Sequence, residues 1–295
     1  MRTAALFGTD LRVSRLGLGL FAIGGRGWGS DVDDRSSAAA IEAALDAGIT
    51  LFDTAPIYGD GHADRLLART LGARIRDVTV ATKAGPRGEP PIADLSPENL
   101  RRDVEASLRR LGVERIDLLQ LHWPCQRGTP LEATIEALED LVEQSKIRHY
   151  GLCNYGPDEL ARACELGNVA SLQTPISWVR REYEGALAKV AVAHRVGVLA
   201  YEPLARGMLT GKFRSLPRFG ADDLRHRDPR FWAVGFAKLA PRVEQLRRAA
   251  EARGTAPAAL AIAFAASRPG VVSALFGAKR PEQVKENVRA AELLG

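Results

Sequence analysis

The chain has 295 residues, 46% hydrophobic and 26% charged, with a formal charge of +5 and a pI near 9.3. This is an ordinary composition for a globular protein, and no apolar run reaches the ~18–20 residues a membrane-spanning helix needs. Cys125, Cys153 and Cys164 form no pattern with one another or with the five histidines. Neither a disulfide scaffold nor a metal site is expected, and a cytoplasmic location without a signal peptide is. In chain order, short apolar runs predict strands at 16–20, 50–53, 78–82, 116–121, 149–152, 171–174, 198–201 and 272–276. Helical patterns lie between them. Leu100, Val104, Leu108 and Leu111 form one apolar face, with Ser96 as N-cap and Pro97 at the first helical position. Leu131, Ile135, Leu138 and Leu141 form another, and Gly48, Gly112 and Gly167 stand where helices should stop. The segment 202–239 is long and punctuated by Gly and Pro, the composition of a lid or ligand clasp, and 257–267 predicts an additional apolar helix before the last strand. Eight strands alternating with helices, in a chain near the ~250 residues of a (β/α)₈ barrel, predict an α/β TIM barrel forming a single domain, 1–295.

Four polar residues sit in or just after three of the strand runs: Asp53 and Tyr58 in "GITLFDTAPIYGDG", Lys83 in "VTVATKAGP" and His122 in "IDLLQLHWP". Side chains at the C-terminal ends of several barrel strands converge on one mouth. A phenol with an unperturbed pKa of about 10 needs help to donate a proton, and a lysine ammonium beside it lowers that value. Asp53 would hold Lys83 in place, and His122 would add a second donor to a carbonyl oxygen. The set describes a pocket that takes a carbonyl to an alcohol, with hydride supplied by a cofactor. Singly, each residue has a plainer explanation: a helix cap, a solvated lysine, a rim histidine. Lys83 as a Schiff-base lysine is a further alternative, disfavoured because Asp53 would keep the amine protonated.

Between 205 and 230, seven Lys/Arg face three Asp. This is either an arginine-rich surface or a site for a phosphorylated small molecule. No sustained basic helix interleaved with aromatics points to nucleic acid. The glycine-rich "GLGLFAIGGRGWG" holds no full G-x-G-x-x-G, and "ARGMLTGKF" misses the P-loop at Arg206 and at Phe213. Lys279 and Arg280 flank a helix start, a plausible phosphate site in its own right.

The order Asp53, Tyr58, Lys83, His122 in these strand contexts resembles the aldo-keto reductase superfamily, and the likeness runs from about Leu16 to Asn287. The resemblance implies NADPH-dependent reduction of an aldehyde or ketone, with Tyr58 as general acid and a nucleotide lying extended across the barrel rim. It also keeps open a nicotinamide-binding regulatory subunit without turnover, like the channel β-subunits that share the fold. It further implies an N-terminal hairpin capping the barrel bottom. By the same resemblance Cys153, Asn154 and Gln173 meet the nicotinamide carboxamide, and Tyr201 stacks on the ring. Leu204, Gly207 and Lys212 clasp the pyrophosphate, Gly277 joins the cofactor site in the segment 277–288 that opens the last helix, Lys279 and Arg280 meet a 2′-phosphate, and Gln283 and Asn287 reach the adenosine end. Phe21, Trp123 and the 215–236 loop would line the substrate pocket, with Trp28 and Trp232 read as packing. Two positions depart from the usual family pattern. Cys153 stands where Ser is usual, and Glu202 where Ser commonly follows the stacking Tyr, a carboxylate that needs a cation such as Arg206 beside it.

Overall fold

The computed structural model describes residues 1–25, 27–28 and 32–295. The end of the glycine-rich run, at Arg26 and 29–31, lies outside the described residues. All eight expected runs fold as strands: β3 (Leu16–Gly19), β4 (Leu51–Asp53), β5 (Thr79–Ala84), β8 (Ile116–Leu121), β9 (Ile147–Cys153), β10 (Val169–Pro175), β11 (Gly197–Tyr201) and β12 (Val271–Gly277). They pair in parallel in that order, and β12 closes back onto β3 to make a barrel. The strand pairing sets Lys83 beside Gln120 and Cys153 beside Gln173. Side chains alternate along each strand, so this register decides which residues share the barrel interior.

Ahead of the barrel, β1 (Thr3–Ala5) and β2 (Arg12–Ser14) form an antiparallel hairpin. Its Leu6, Leu11 and Val13 are buried with Leu51, Ala81, Leu118, Ala170, Leu199 and Leu275. The barrel floor therefore holds an apolar cluster capped by the hairpin, as expected. The larger core lies outside the strands, against α1 (Asp34–Asp46), α2 (His62–Leu71), α3 (Pro97–Leu111), α4 (Leu131–Glu143), α5 (Pro157–Leu166) and α6 (Ala186–Ala193). α3 begins after Ser96 with Pro97 in its first turn and ends at Gly112 in the left-handed region (φ 66°), the stop the sequence expects.

Two short strands went unpredicted: β6 (Pro86–Arg87) and β7 (Ile92–Ala93) make a small hairpin after β5. The region expected as a loop to residue 239 is shorter, because α7 (Ala233–Glu251) begins inside it. That helix buries only Leu246 and Ala250 and carries Pro241, so neither its periodicity nor its composition marks it. α8 (Pro257–Ala266) is buried on nearly every side and packs on β12. It is the crossover helix of the last βα unit, and α7, packed outside it, is the additional one. α9 (Pro281–Asn287) follows β12 and packs on α1. Among the described residues no helix is long and apolar enough to cross a membrane.

Candidate active site

The upper half of the barrel interior reverses the character of its floor. Asp53, Lys83, Gln120, Ser171 and Gln173 are all buried there, and His122 stands at its edge. Lys83 Nζ lies 2.6 Å from Asp53 Oδ1, 3.0 Å from the Thr54 carbonyl and 3.3 Å from the Tyr58 hydroxyl. The loop carrying Tyr58 is fixed by backbone-on-backbone packing. Gly59 (φ 63°) approaches Gly24 so closely that a Cβ there would fall 2.0 Å from the Gly24 oxygen, and no side chain can replace that glycine. The Tyr58 ring packs on Phe21 (5.0 Å between centroids) and edge-on against His122 (6.0 Å), and His122 lies 5.1 Å from Trp123. Asp53, Tyr58, Lys83 and His122 thus converge, with Phe21 and Trp123 beside them.

The electrostatics correct one expectation. Burial of the Tyr58 hydroxyl raises its pKa above the ordinary phenol value, and the nearby Lys83 ammonium only partly offsets this. The phenol is not acidified; it is held as a neutral O–H at physiological pH. Burial works against the Lys83 ammonium, but the Asp53 carboxylate together with Tyr58 and Cys153 outweighs it and the net shift is upward. Burial, with Lys83 close by, drives His122 well below its usual value, so the ring is neutral. Its Nδ1 is buried without a partner among the described residues, which leaves Nε2 to address a ligand.

A hydrogen-bonded chain extends from the tetrad. Gln173 Nε2 donates to Asp53 Oδ2 (2.7 Å), Cys153 Sγ donates to Gln173 Oε1 (3.6 Å), Asn154 Nδ2 donates to the His122 carbonyl (3.0 Å), and Tyr201 OH donates to Asn154 Oδ1 (2.7 Å). Burial pushes the Cys153 thiol up to about 12, so it acts as a neutral weak donor. Gln173 keeps one N–H and one lone pair, and Asn154 Oδ1 keeps a lone pair, a set of one donor and two acceptors that suits a carboxamide.

Next to β11, Leu204 leads into a 3₁₀ turn (Ala205–Thr210) in which Gly207 has φ 92° and Lys212 folds back over it. Glu202 does find its cation: Arg206 Nε at 2.8 Å, and also Arg230 at 2.9 Å. Asp228 joins the same two arginines, and Asp223 pairs with Arg225. Three of the seven cations, Arg206, Arg225 and Arg230, are therefore paired with carboxylates of this region. Beyond Gly277, the last residue of β12, Lys279 Nζ donates to the Trp28 carbonyl (2.6 Å) and Lys279 N to Gln283 Oε1 (2.7 Å). Arg280 precedes α9, and Asn287 is buried at its end.

Trp28 does more than pack. Its ring meets Phe21 edge-on (5.5 Å) with the Arg225 guanidinium 5.5 Å from its centroid, and its backbone bridges Asp223. Residues 27–28 and 223–224 thereby join across the mouth. Trp232 is half-exposed, its Nε1 donating to the His226 carbonyl. Sequence reasoning missed Gln120 and counted Asp228 and Arg230 only as members of the charged cluster, since each gains meaning from a partner distant in sequence.

Residues 15–294 match the model of the aldo/keto reductase family. The chain is 34% identical to the aldo-keto reductase YhdN of Bacillus subtilis (strain 168) over 97% of its length and 87% of that protein. It is 33% identical to the NADH-specific methylglyoxal reductase of Escherichia coli (strain K12), covering 99% and 94% of the two chains. Among solved structures, the glycerol dehydrogenase AKR11B4 from Gluconobacter oxydans superposes with a TM-score of 0.88 at 38% identity, over 97% of this chain and 89% of that one.

Proposed function

The chain belongs to the aldo/keto reductase family, and from that premise we propose that it reduces an aldehyde or ketone to an alcohol with NADPH as hydride donor. The observation that carries this reading is Lys83, whose one ammonium touches both Asp53 and the Tyr58 hydroxyl. A bound nicotinamide would supply the hydride to the carbonyl carbon, held by Asn154, Gln173, Cys153 and Tyr201. Tyr58 and neutral His122 donate hydrogen bonds to the carbonyl oxygen. As charge builds on that oxygen the Tyr58 O–H bond breaks and its proton moves across, leaving a phenolate that the Lys83 ammonium stabilises. Asp53 keeps Lys83 charged and aimed. Phe21, Trp123 and the loop over the mouth supply the substrate walls. The relatives named above favour turnover over a purely regulatory subunit. We read 1–295 as one domain, and three free cysteines fit a reducing cytoplasm.

Turnover of a panel of aldehydes and ketones with NADPH and NADH tests the activity, and no turnover of any of them would refute it. The preference for NADPH is supported by Lys279 and Arg280, two cations before α9, while the E. coli relative is named NADH-specific. Charge-assisted hydrogen bonds are worth about 1.5–3 kcal/mol, so Arg280→Ala should weaken NADPH binding about tenfold or more and leave NADH nearly unchanged. Lys279→Ala should weaken both, because it also releases the Trp28 carbonyl. Equal loss of both cofactors in Arg280→Ala, read by tryptophan quenching, would withdraw the NADPH assignment.

A further inference from the structure

Interior residues of β8 run Leu118 then Gln120, and Leu118 packs in an apolar cluster with Leu51, Ala81, Leu199 and Leu275. An amide at this depth, with no exposed surface, must find partners or lose the hydrogen bonds it had in water. Its Nε2 lies 3.3 Å from Asp53 Oδ2, and its Oε1 accepts from Ser171 Oγ at 3.4 Å. The carboxylate is thus gripped at both oxygens, Oδ1 by Lys83 and Oδ2 by the amides of Gln120 and Gln173.

We propose that Gln120 is a positioning residue for proton transfer, holding Asp53 so that the Lys83 ammonium stays aimed at the Tyr58 hydroxyl. This rests on the reading of Tyr58 as proton donor. A carboxylate held by one oxygen can swing about its Cβ–Cγ bond, and Lys83 would swing with it. The contact most exposed to that motion is the longer one, 3.3 Å to Tyr58 against 2.6 Å to Asp53. Gln173 shares the task but also borders Cys153 and Asn154, where a carboxamide would draw on it. Gln120, sealed beneath, has no ligand to serve and keeps hold of Asp53 Oδ2 whatever Gln173 does.

Two variants test this in the full-length protein, beside Tyr58→Phe. Gln120→Met keeps the shape and removes the donor: kcat should fall about tenfold at every pH, with KM and NADPH binding little changed. Gln120→Glu places a carboxyl group against Asp53, in a cluster whose other titratable groups include Lys83, Tyr58, Cys153 and His122, the last held neutral by burial beside Lys83. Two carboxylates in contact resist ionising together, so the introduced carboxyl should carry a proton at low pH and donate as the amide of Gln120 does. The kcat of this variant should then approach that of the parent near about pH 6 and fall as pH rises, a limb the parent lacks. Parent-like kcat and pH profile in both variants would overturn the proposal, as would equal pH-independent losses accompanied by lower melting temperatures. If one variant fails to fold, the other still decides. Should Tyr58→Phe remain active, the acid reading itself fails; a dead Tyr58→Phe beside unaffected Gln120 variants sinks only this inference.

Discussion

Two carboxylates stand at the barrel mouth, Asp53 buried and Glu202 partly so, and their neighbours differ in a telling way. Asp53 faces one cation and two neutral amides, so the Lys83 charge retains a direction free toward Tyr58. Glu202 faces Arg206 and Arg230, and Asp228 faces the same two arginines. Two negatives and two positives close on themselves. Burial works against the Glu202 charge, but Arg230 and Arg206 outweigh it and hold its pKa below the usual value. The first arrangement delivers a charge to a reacting group; the second fastens one stretch of chain to another, the 202–206 turn to the 228–230 turn of the loop. An ion pair becomes chemically useful here when its neighbours leave some of its field unspent.

The largest expected effect breaks the comparison at its functional end. Tyr58→Phe should lower kcat for carbonyl reduction by about 10²–10⁴-fold while NADPH binding stays nearly intact, since only the proton donor goes. A variant retaining more than about a tenth of parent kcat would show that Tyr58 is not the acid.

Lys83→Met removes the charge that Asp53 directs. Reduction should drop severely, and the pH dependence should separate the two directions of reaction. Burial raises the Tyr58 pKa and Lys83 lowers it, so the phenol is protonated throughout the neutral range. Reduction by the parent needs that proton and should be flat from about pH 6 to 9; alcohol oxidation needs the phenolate and should rise with pH. Without Lys83 the phenol pKa climbs further, so the rise in oxidation should move to higher pH. Profiles in both directions measure this, and an unmoved oxidation limb would rule out the Tyr58–Lys83 coupling.

Glu202→Gln sharpens the comparison at its structural end. It leaves two arginines facing Asp228 alone in a partly buried network, the Glu202 side chain being 19% exposed. A loss of about 1–3 kcal/mol is expected, less than for a fully buried pair. Faster limited proteolysis within 213–232, with the chemical step little changed, would mark Glu202 as a fastener. A large loss in single-turnover rate with an intact loop would instead place it in the chemistry.

The sequence alone carried the barrel because it is written in local patterns, and the resemblance to a family pointed to the four polar residues at its strand ends. Each barrel strand is a short β-branched or aliphatic run, and Asp53, Lys83 and His122 sit at or just past the ends of three of them. Strand ends in a closed parallel barrel meet at one mouth, so position along the chain implies position in space. The pairing of Glu202 with Arg206 was legible for the same reason, four residues apart in one turn.

The tertiary structure decided what depends on distant partners and on burial. Gln120 looks like an ordinary interruption of "IDLLQLHWP" until the register sets it beside Lys83 and beneath Asp53. α7 escapes notice because the few apolar residues it buries meet α8 and the 205–209 and Phe231 turns, all outside its own segment, with Val234 82% exposed and Pro241 inside it. The direction of the Tyr58 shift also reversed. A lysine nearby can be read from a motif, whereas desolvation sums over every group packed around the hydroxyl, and that sum exists only once the chain has folded.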